Sequence, residues 1–149
     1  MKGELEGGCL CGAVRYTLRE GFRLNPYACH CTDCQSRTGS AFSEHMLFTL
    51  ADLVISGDLD VGEFDQPSGA HSRIFGCARC KSRIYAVNDG REGMASLRCG
   101  TLDDSASVTP AAHVWVRSKQ PWIGLPPDTR TMDEQPRTSE DWVAFVGIA

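Results

Sequence analysis

Eight cysteines in a chain of 149 residues constrain this sequence more than any other feature. Seven of them fall into three short motifs, and the eighth, Cys99, stands alone. In each motif the spacing is short enough for the sulfurs to share one metal ion. The motifs are a Cys-x-Cys pair, a Cys-x-Cys-x-x-Cys triple and a Cys-x-x-Cys pair, at Cys9 and Cys11, at Cys29, Cys31 and Cys34, and at Cys77 and Cys80.

The interpretation of so many cysteines depends on whether the protein is cytoplasmic or secreted. Residues 1–8 carry one lysine and two glutamates without an apolar run, unlike a signal peptide. No stretch of the chain approaches the roughly 20 apolar residues that a transmembrane helix needs. We therefore expect a cytoplasmic protein with no membrane partner. In a reducing cytosol, such cysteine density is more typical of metal binding or catalysis than of disulfides.

The two pairs together offer four thiolates. Structural zinc takes four such ligands in a tetrahedron, usually from two short knuckles distant in sequence. Residues 75–82 have the pattern of a knuckle between strands, with Gly76 directly before a cysteine. The alternative is a set of free thiols in the core. We predict a structural zinc on Cys9, Cys11, Cys77 and Cys80.

The triple offers three thiolates in one loop and has no obvious fourth partner. Three protein ligands with one exchangeable position are typical of catalytic zinc. The triple therefore predicts a second zinc on Cys29, Cys31 and Cys34, with an open position for chemistry. The alternative is a second closed site, completed by one of five side chains: Cys99, His30, His45, His71 or His113.

Two of these five side chains have a simpler interpretation. Cys99 ends a predicted strand, where a lone cysteine is most often a buried apolar residue. His30 lies between two cysteines of the triple, so we expect its side chain to point away from the metal that they share.

Charge and composition exclude some function classes. The formal net charge is −4, and the basic residues are scattered rather than clustered, so the chain lacks the electrostatic footprint of a nucleic-acid-binding protein. Hydrophobic residues make up 42% of the chain, which at this length is enough for a buried core. We interpret residues 1–149 as a single zinc-binding domain with a C-terminal extension from about residue 119.

The hydrophobic pattern predicts a mainly β fold with little helix. Apolar and polar residues alternate in residues 13–18 and 46–50, as in half-buried strands. Further short strands are predicted at 53–56, 72–75, 83–87, 95–98 and 113–116, with turns at 57–58, 66–69 and 88–90. A short helix is predicted over 32–38, with Asp33 and Gln35 supporting its first turn.

The proline-rich segment from Lys119 onward is predicted to end in a helix of one or two turns over 139–146. We expect this segment to pack back on the sheets through Trp122 and Trp142.

The motifs in their order resemble those of the glutathione-dependent formaldehyde-activating enzyme (GFA) family. The match runs from about Gly7 to Trp122 and comprises residues 7–16, 29–34, 39–42, 77–80, 100–104 and 113–115. The resemblance implies a β-tent fold of stacked antiparallel sheets, a structural zinc on the two pairs and a second zinc on the triple. Cys99 departs from the family pattern, in which a small apolar residue is expected before the Gly-Thr-Leu-Asp motif.

The resemblance also implies a carbon–sulfur lyase activity, in which glutathione and formaldehyde form S-hydroxymethylglutathione or the adduct is cleaved. Glutathione has two carboxylates, so its binding site needs guanidinium or hydrogen-bond donors. Arg37, three residues past the triple, and Ser40 are the candidates, although Arg37 can equally be a solvated side chain. Asp103 and Asp104 are either proton carriers or a turn that satisfies its own backbone.

A second class of function stays open at this point. The chain can be a non-catalytic zinc module that uses the same fold for binding or assembly, as two closed metal sites would indicate. An enzyme needs an exchangeable ligand at the triple, and a structural module does not. The sequence reports neither the aldehyde nor the oligomeric state.

Overall fold

The computed structural model describes residues 1–66 and 69–149, and its secondary structure is mainly β. The predicted turn at 66–69 includes Pro67 and Ser68, which lie outside the described residues. The strands are β1 (Leu5–Gly8), β2 (Arg15–Leu18), β3 (Tyr27–Cys29), β4 (Ser43–Thr49), β5 (Leu53–Ser56), β6 (Leu59–Asp65), β7 (His71–Cys77), β8 (Arg83–Asn88), β9 (Met94–Arg98), β10 (Ala112–Val114) and β11 (Arg130–Thr131); the helices are α1 (Thr32–Thr38) and α2 (Ser139–Val146).

The strands form two sheets that stack on each other. The smaller sheet has the order β1-β2-β5 and is antiparallel throughout. The larger sheet has the order β11-β10-β3-β4-β9-β8-β7-β6, in which only the pairings of β10 with β3 and with β11 are parallel among the described strands. This arrangement confirms the predicted fold class of stacked antiparallel sheets with little helix.

Strand β4 lies at the centre of the larger sheet and contributes to two hydrophobic clusters. Met46 and Phe48 join the cluster between the two sheets, together with Leu18, Ile84 and Leu97. Leu47 points to the opposite face and joins a second cluster that includes Tyr27 and Trp142. Because side chains alternate across a strand, β4 is buried on both faces. Each such side chain contributes about 1.5–3 kcal/mol through burial, so β4 is a rigid base for the residues it carries.

Both helices occur at the predicted bounds, and Asp33 lies in the first turn of α1 as predicted, but the residue that caps α1 was not predicted. The N-cap is Cys31, whose sulfur accepts a hydrogen bond from the Cys34 amide at 3.3 Å. Gln35 instead donates to the carbonyls of His30 and Ser118, both at 2.9 Å. The first turn of α1 is therefore fixed by a cysteine of the triple and by contacts with the chain around residue 118.

The C-terminal segment packs back on the larger sheet through one of the two predicted tryptophans. Trp142 on α2 is buried and lies 4.8 Å from the Tyr27 ring. Trp122 is 76% exposed, so the prediction that it packs on the sheets is wrong. Its indole N–H bonds the Gln120 side chain at 2.7 Å, which lets it remain on the surface. Within the described residues, no helix is long and apolar enough to cross a membrane.

Candidate metal centres

The sulfurs of the two cysteine pairs converge on one point. All four lie within 4.8 Å of one another. The Cys9 and Cys11 sulfurs are 3.6 Å apart, and those of Cys11 and Cys77 are 3.8 Å apart. Two tetrahedral zinc–sulfur bonds of about 2.3 Å separate their sulfurs by about 3.8 Å. The donor set of Cys9, Cys11, Cys77 and Cys80 therefore fits a tetrahedral metal ion of the size of zinc.

This four-cysteine site joins the two sheets. Cys9 and Cys11 lie in the loop after β1 of the smaller sheet, while Cys77 ends β7 of the larger sheet and Cys80 lies in the turn before β8. Gly7 in β1 permits the two sheets to approach each other closely next to this site. A Cβ on Gly7 would clash with the Thr101 carbonyl oxygen, in the segment that follows β9 of the larger sheet. A metal bound here would hold both sheets together at this edge.

Backbone and hydroxyl donors surround the sulfurs of the four-cysteine site. Cys9 accepts from the Val14 amide at 3.2 Å, and Cys77 accepts from the Arg79 and Cys80 amides at 3.4 Å. The Ser82 hydroxyl lies 3.2 Å from the Cys80 sulfur. Hydrogen bonds from the Ser82 hydroxyl and amide lower the pKa of Cys80 to about 5. These donors favour thiolates, the form that binds metal.

The triple forms a second group of sulfurs at the start of α1. The sulfurs of Cys29, Cys31 and Cys34 lie within 4.8 Å of one another. Cys29 ends β3 and is buried, whereas the other two lie at the N-cap and in the first turns of α1 and are partly exposed. In the part of the chain that the structure describes, no fourth histidine, cysteine or carboxylate ligand joins this group.

The three thiols of the triple share their protons unequally. The contact with Cys29, reinforced by that with Cys34, lowers the pKa of Cys31 to about 2. The contact with Cys31 raises the pKa of Cys29. One sulfur thus ionises first, and the charge it carries holds protons on its neighbours. A cation that replaces those protons fits this donor set, because metal binding to thiols releases protons.

His45 lies beside the triple with a defined tautomer. Its Nδ1 is 2.7 Å from Arg98 Nη1 and 3.0 Å from the Ser96 hydroxyl. A guanidinium only donates hydrogen bonds, so Nδ1 accepts and the proton resides on Nε2. Nε2 is 3.7 Å from the Cys34 sulfur and points its N–H at it. Burial lowers the pKa of His45 well below its usual range, with the Arg98 charge acting in the same direction, so the ring is neutral.

Strand register explains how these residues meet. Tyr27, His45 and Arg98 are direct partners across β3, β4 and β9, and directly opposed residues share one face of a sheet. Cys29 and Ser96 lie two residues along from Tyr27 and Arg98 and therefore share that face. The His45 ring stacks on Tyr27 at a centroid distance of 5.3 Å. The sheet thus places Arg98, His45 and Cys29 at the same edge of the site.

The structure places the other proposed fourth ligands elsewhere. Cys99 is fully buried in the core between the sheets, where burial raises its pKa to about 12. His30 turns away from the triple and its Nε2 bonds His113 Nδ1 at 2.8 Å. His71 is on the surface and pairs with Asp65 at 2.9 Å. Neither these residues nor His45 belong to the group of three sulfurs.

The remaining candidate residues lie in different settings. Arg37 extends over the Phe64 ring, with its guanidinium carbon 3.5 Å from the ring centroid. Ser40 is exposed just after α1, and its amide donates to the Thr38 hydroxyl. Asp103 is bound to Arg15, which donates to its carboxylate at 2.8 Å. The Asp103 carboxylate thus pairs with an arginine on β2 rather than with the backbone of its own turn.

Asp104 does not cap its turn with its side chain. Its carbonyl accepts from the Ser107 hydroxyl at 2.9 Å, and the carboxylate makes no cap hydrogen bond.

Sequence reasoning missed Arg98, which contacts His45 beside the triple, and it assigned no role to Arg83. Each is a single arginine in a predicted strand, and neither belongs to a motif. The signal that identifies Arg98 is its pairing opposite His45 across β4 and β9, which becomes visible only once the order of the strands is known.

Comparisons with known proteins show which sequences and folds this chain resembles. The sequence model of the family described as "Glutathione-dependent formaldehyde-activating enzyme" matches residues 4–118. A Halomonas elongata protein named "Putative glutathione-dependent formaldehyde-activating enzyme" is 24% identical, over 97% of each chain. A crystal structure of a Rhodobacter sphaeroides protein has the same fold, with a TM-score of 0.53 and 18% identity over 71% of this chain and 92% of that one.

The matched region ends where the C-terminal segment begins, and it contains all seven cysteines of the two candidate metal centres. It also contains β1 to β10 and α1, and therefore both stacked sheets apart from the edge strand β11. The chain belongs to the glutathione-dependent formaldehyde-activating enzyme family.

Proposed function

We propose that this protein is a zinc-dependent carbon–sulfur lyase that forms or cleaves S-hydroxymethylglutathione or a related thiol adduct of glutathione. One observation carries the proposal: three sulfurs converge at Cys29, Cys31 and Cys34, and no fourth side-chain ligand joins them among the described residues. A three-ligand site is the arrangement that catalytic zinc uses. Membership of the family supports glutathione as the thiol.

Zinc is the metal that both donor sets favour. Tetrahedral sites built from thiolates select zinc or iron–sulfur clusters. The four sulfurs of the four-cysteine site lie within 4.8 Å of one another, which leaves room for a single ion. We assign the structural zinc to Cys9, Cys11, Cys77 and Cys80 and the second zinc to the triple. A reducing cytoplasm, where thiols persist, suits both sites.

Zinc at the triple would supply a position at which an incoming thiol loses its proton at neutral pH. In the forming direction, the glutathione sulfur attacks the aldehyde carbon and a C–S bond forms. The carbonyl π pair moves to oxygen, which takes up the proton that the thiol released. Cleavage is the reverse: the hydroxyl loses its proton, the C–S bond breaks, and the thiol and the aldehyde separate.

The residues of this chain position the reacting sulfur rather than polarise the aldehyde. Three thiolates offset the charge of a divalent ion, which makes it a weak Lewis acid. His45 donates its Nε2–H to the Cys34 sulfur and withdraws part of that negative charge. Arg98 fixes the His45 tautomer from the other side. The rate enhancement then comes mainly from holding thiol and aldehyde together.

Arg37 and Ser40 are the proposed glutathione contacts predicted from the sequence. Arg37 is one helical turn beyond Cys34 on α1, so its guanidinium lies on the same side of the helix as the triple. Arg37→Ala should weaken glutathione binding, and unchanged affinity would remove this residue from the site.

A cobalt titration of the metal-free protein tests the proposal. Cobalt reports the number of sulfur ligands through its thiolate-to-metal and ligand-field bands. We expect two equivalents to bind, one for each cysteine group. Addition of glutathione should move the spectrum of one site toward four sulfurs. Two bound equivalents without a response to glutathione would contradict the proposal and favour a non-catalytic zinc module.

A further inference from the structure

A cleft of about 280 Å³ lies between α1 and the β6–β7–β8 part of the larger sheet. Arg37 from α1 and Phe64 from β6 line one side, and Arg83 at the start of β8 lines another. Cys77 of the four-cysteine site also reaches this cleft. The cleft therefore borders the four-cysteine site and shares α1 with the triple. Of its charged lining residues, the function proposed above uses only Arg37.

Arg83 has an unmet hydrogen-bonding requirement in this cleft. Its Nη1 is buried and has no hydrogen-bond partner among the described residues. A buried polar group of this kind costs free energy unless a ligand or solvent satisfies it, and the cost is larger for a charged group. The arrangement indicates a binding partner that accepts hydrogen bonds and carries negative charge.

The two guanidiniums of the cleft also lack counter-charges. Within residues 1–66 and 69–149, neither Arg37 nor Arg83 forms an ion pair. Burial lowers the pKa of Arg83, and the Arg37 charge acts in the same direction. An anion between them would offset this repulsion.

The acidic residues of the cleft are already paired with other groups. Asp60 forms an ion pair with Lys81. A carboxylate oxygen of Glu63 lies 3.7 Å from the Nε2 of His71. A hydrogen bond from His71 to Asp65 raises the pKa of His71, which favours the charged form that pairs with Glu63. The cleft therefore has one more positive than negative side chain, although the net charge of the whole chain is −4. The charged residues that line it are Arg37, Lys81, Arg83, Asp60 and Glu63.

The cleft and the triple share helix α1, which carries Cys34 of the triple and Arg37 of the cleft. Arg37 follows Cys34 by three residues, a rise of about 4.5 Å along a helix. One extended residue spans about 3.5 Å, and the thiol side chain adds to this reach, so the separation of sulfur and carboxylate in a small peptide thiol is comparable with one turn of α1. A small peptide thiol could thus place its sulfur at the triple and its carboxylate in the cleft.

We propose that this cleft is a carboxylate subsite, in which Arg83 anchors a terminal carboxylate of the peptide thiol substrate and Arg37, held over Phe64, contributes a second guanidinium. The proposal rests on the function proposed above and assigns the part of the site that recognises the substrate away from its sulfur. It also predicts that neutral thiols are poor ligands. Planar guanidiniums suit carboxylates because they donate parallel hydrogen bonds.

The test compares glutathione with glutathione diethyl ester, in which both carboxylates are blocked, on the cobalt-loaded protein. We expect the ester to bind at least about tenfold more weakly than glutathione, because a hydrogen bond to a charged group is lost. Arg83→Gln should bind both thiols with the weak affinity of the ester. Arg83→Lys, which keeps the charge but loses the fork, should recover part of the difference. Arg73→Gln, an exposed arginine on β7 outside the cleft, is the matched control and should behave as wild type.

The outcomes separate failure of the subsite from failure of the proposed function. Equal binding of glutathione and its ester to the wild-type protein overturns the subsite without any variant. A preference for glutathione that survives in Arg83→Gln also overturns it. If the cobalt spectrum does not respond to glutathione, the proposed function fails, and calorimetry with S-methylglutathione, which has both carboxylates but no thiol, still tests the cleft. Binding that Arg83→Gln abolishes supports the subsite, and absent or unchanged binding refutes it.

Discussion

The two cysteine groups of this protein differ in what they join and in what surrounds them. The four-cysteine site takes its ligands from both sheets, and backbone amides and one serine hydroxyl surround its sulfurs. The triple takes all its ligands from six consecutive residues, and a histidine and an arginine lie beside it. A metal that ties distant chain segments stabilises the fold, whereas a metal held by one local segment does not need to. The comparison therefore supports the proposed division into a structural site and a reactive one.

Removal of one ligand from the four-cysteine site should have the largest effect on stability. In Cys77→Ser, the smaller sheet loses its metal link to the larger one. Structural zinc contributes folding free energy directly, about 10–16 kcal/mol in zinc-finger peptides, so we expect the free energy of unfolding to fall by more than about 3 kcal/mol. Urea denaturation with metal analysis measures this change. The control is Cys99→Ala, which changes a buried cysteine outside both groups and should keep both metals. If Cys77→Ser unfolds at the same urea concentration as wild type, the four-cysteine site does not stabilise the fold.

The corresponding change in the triple should affect activity rather than stability. Cys31→Ser removes one of three ligands, and we expect the second metal to be lost together with more than about 100-fold of the activity. The free energy of unfolding should change by less than about 1 kcal/mol, because no second chain segment depends on this metal. Assays of S-hydroxymethylglutathione formation and urea denaturation of the same variant provide both values. Unfolding as severe as in Cys77→Ser would show that both metals are structural.

The sequence predicted the sulfur groups better than their surroundings, for a physical reason. Ligands to one ion are close in sequence within each knuckle, so spacing alone indicates the groups. His45 and Arg98 are 53 residues apart and meet only because β4 pairs with β9. Strand β6 was missed because its residues are mostly exposed, which removes the alternation of buried and exposed residues. Since β6 carries Phe64, the cleft next to the triple could not be anticipated either.

A change at His45 sharpens the comparison, because among the described residues an imidazole N–H points at a cysteine sulfur only in the triple. His45→Phe keeps a ring stacked on Tyr27 but removes the N–H that points at Cys34. Loss of such an outer partner typically costs about 10–100-fold in metal affinity or activity. The cobalt bands of the triple should shift while those of the four-cysteine site stay unchanged. His71→Gln on the surface is the control, and an unaltered spectrum in His45→Phe would remove His45 from the site.

Asp103 should give the smallest effect, because its carboxylate pairs with Arg15 at the surface rather than serving either metal group. The hydrogen bonds from Arg15 lower the pKa of Asp103, so it is ionised at neutral pH and carries no proton to transfer. Asp103→Asn should keep kcat and KM within about twofold of wild type. Since the pKa is lower in the folded state, the pair stabilises the protein above the unfolded carboxyl pKa of about 3.9 and loses this effect as the pH falls through the folded value. Thermal unfolding of wild type and Asp103→Asn, measured at neutral pH and at a pH below the folded pKa of Asp103, checks the sign of this stability difference. A large loss of kcat at unchanged stability would instead make Asp103 the proton carrier and extend the reactive region beyond the triple.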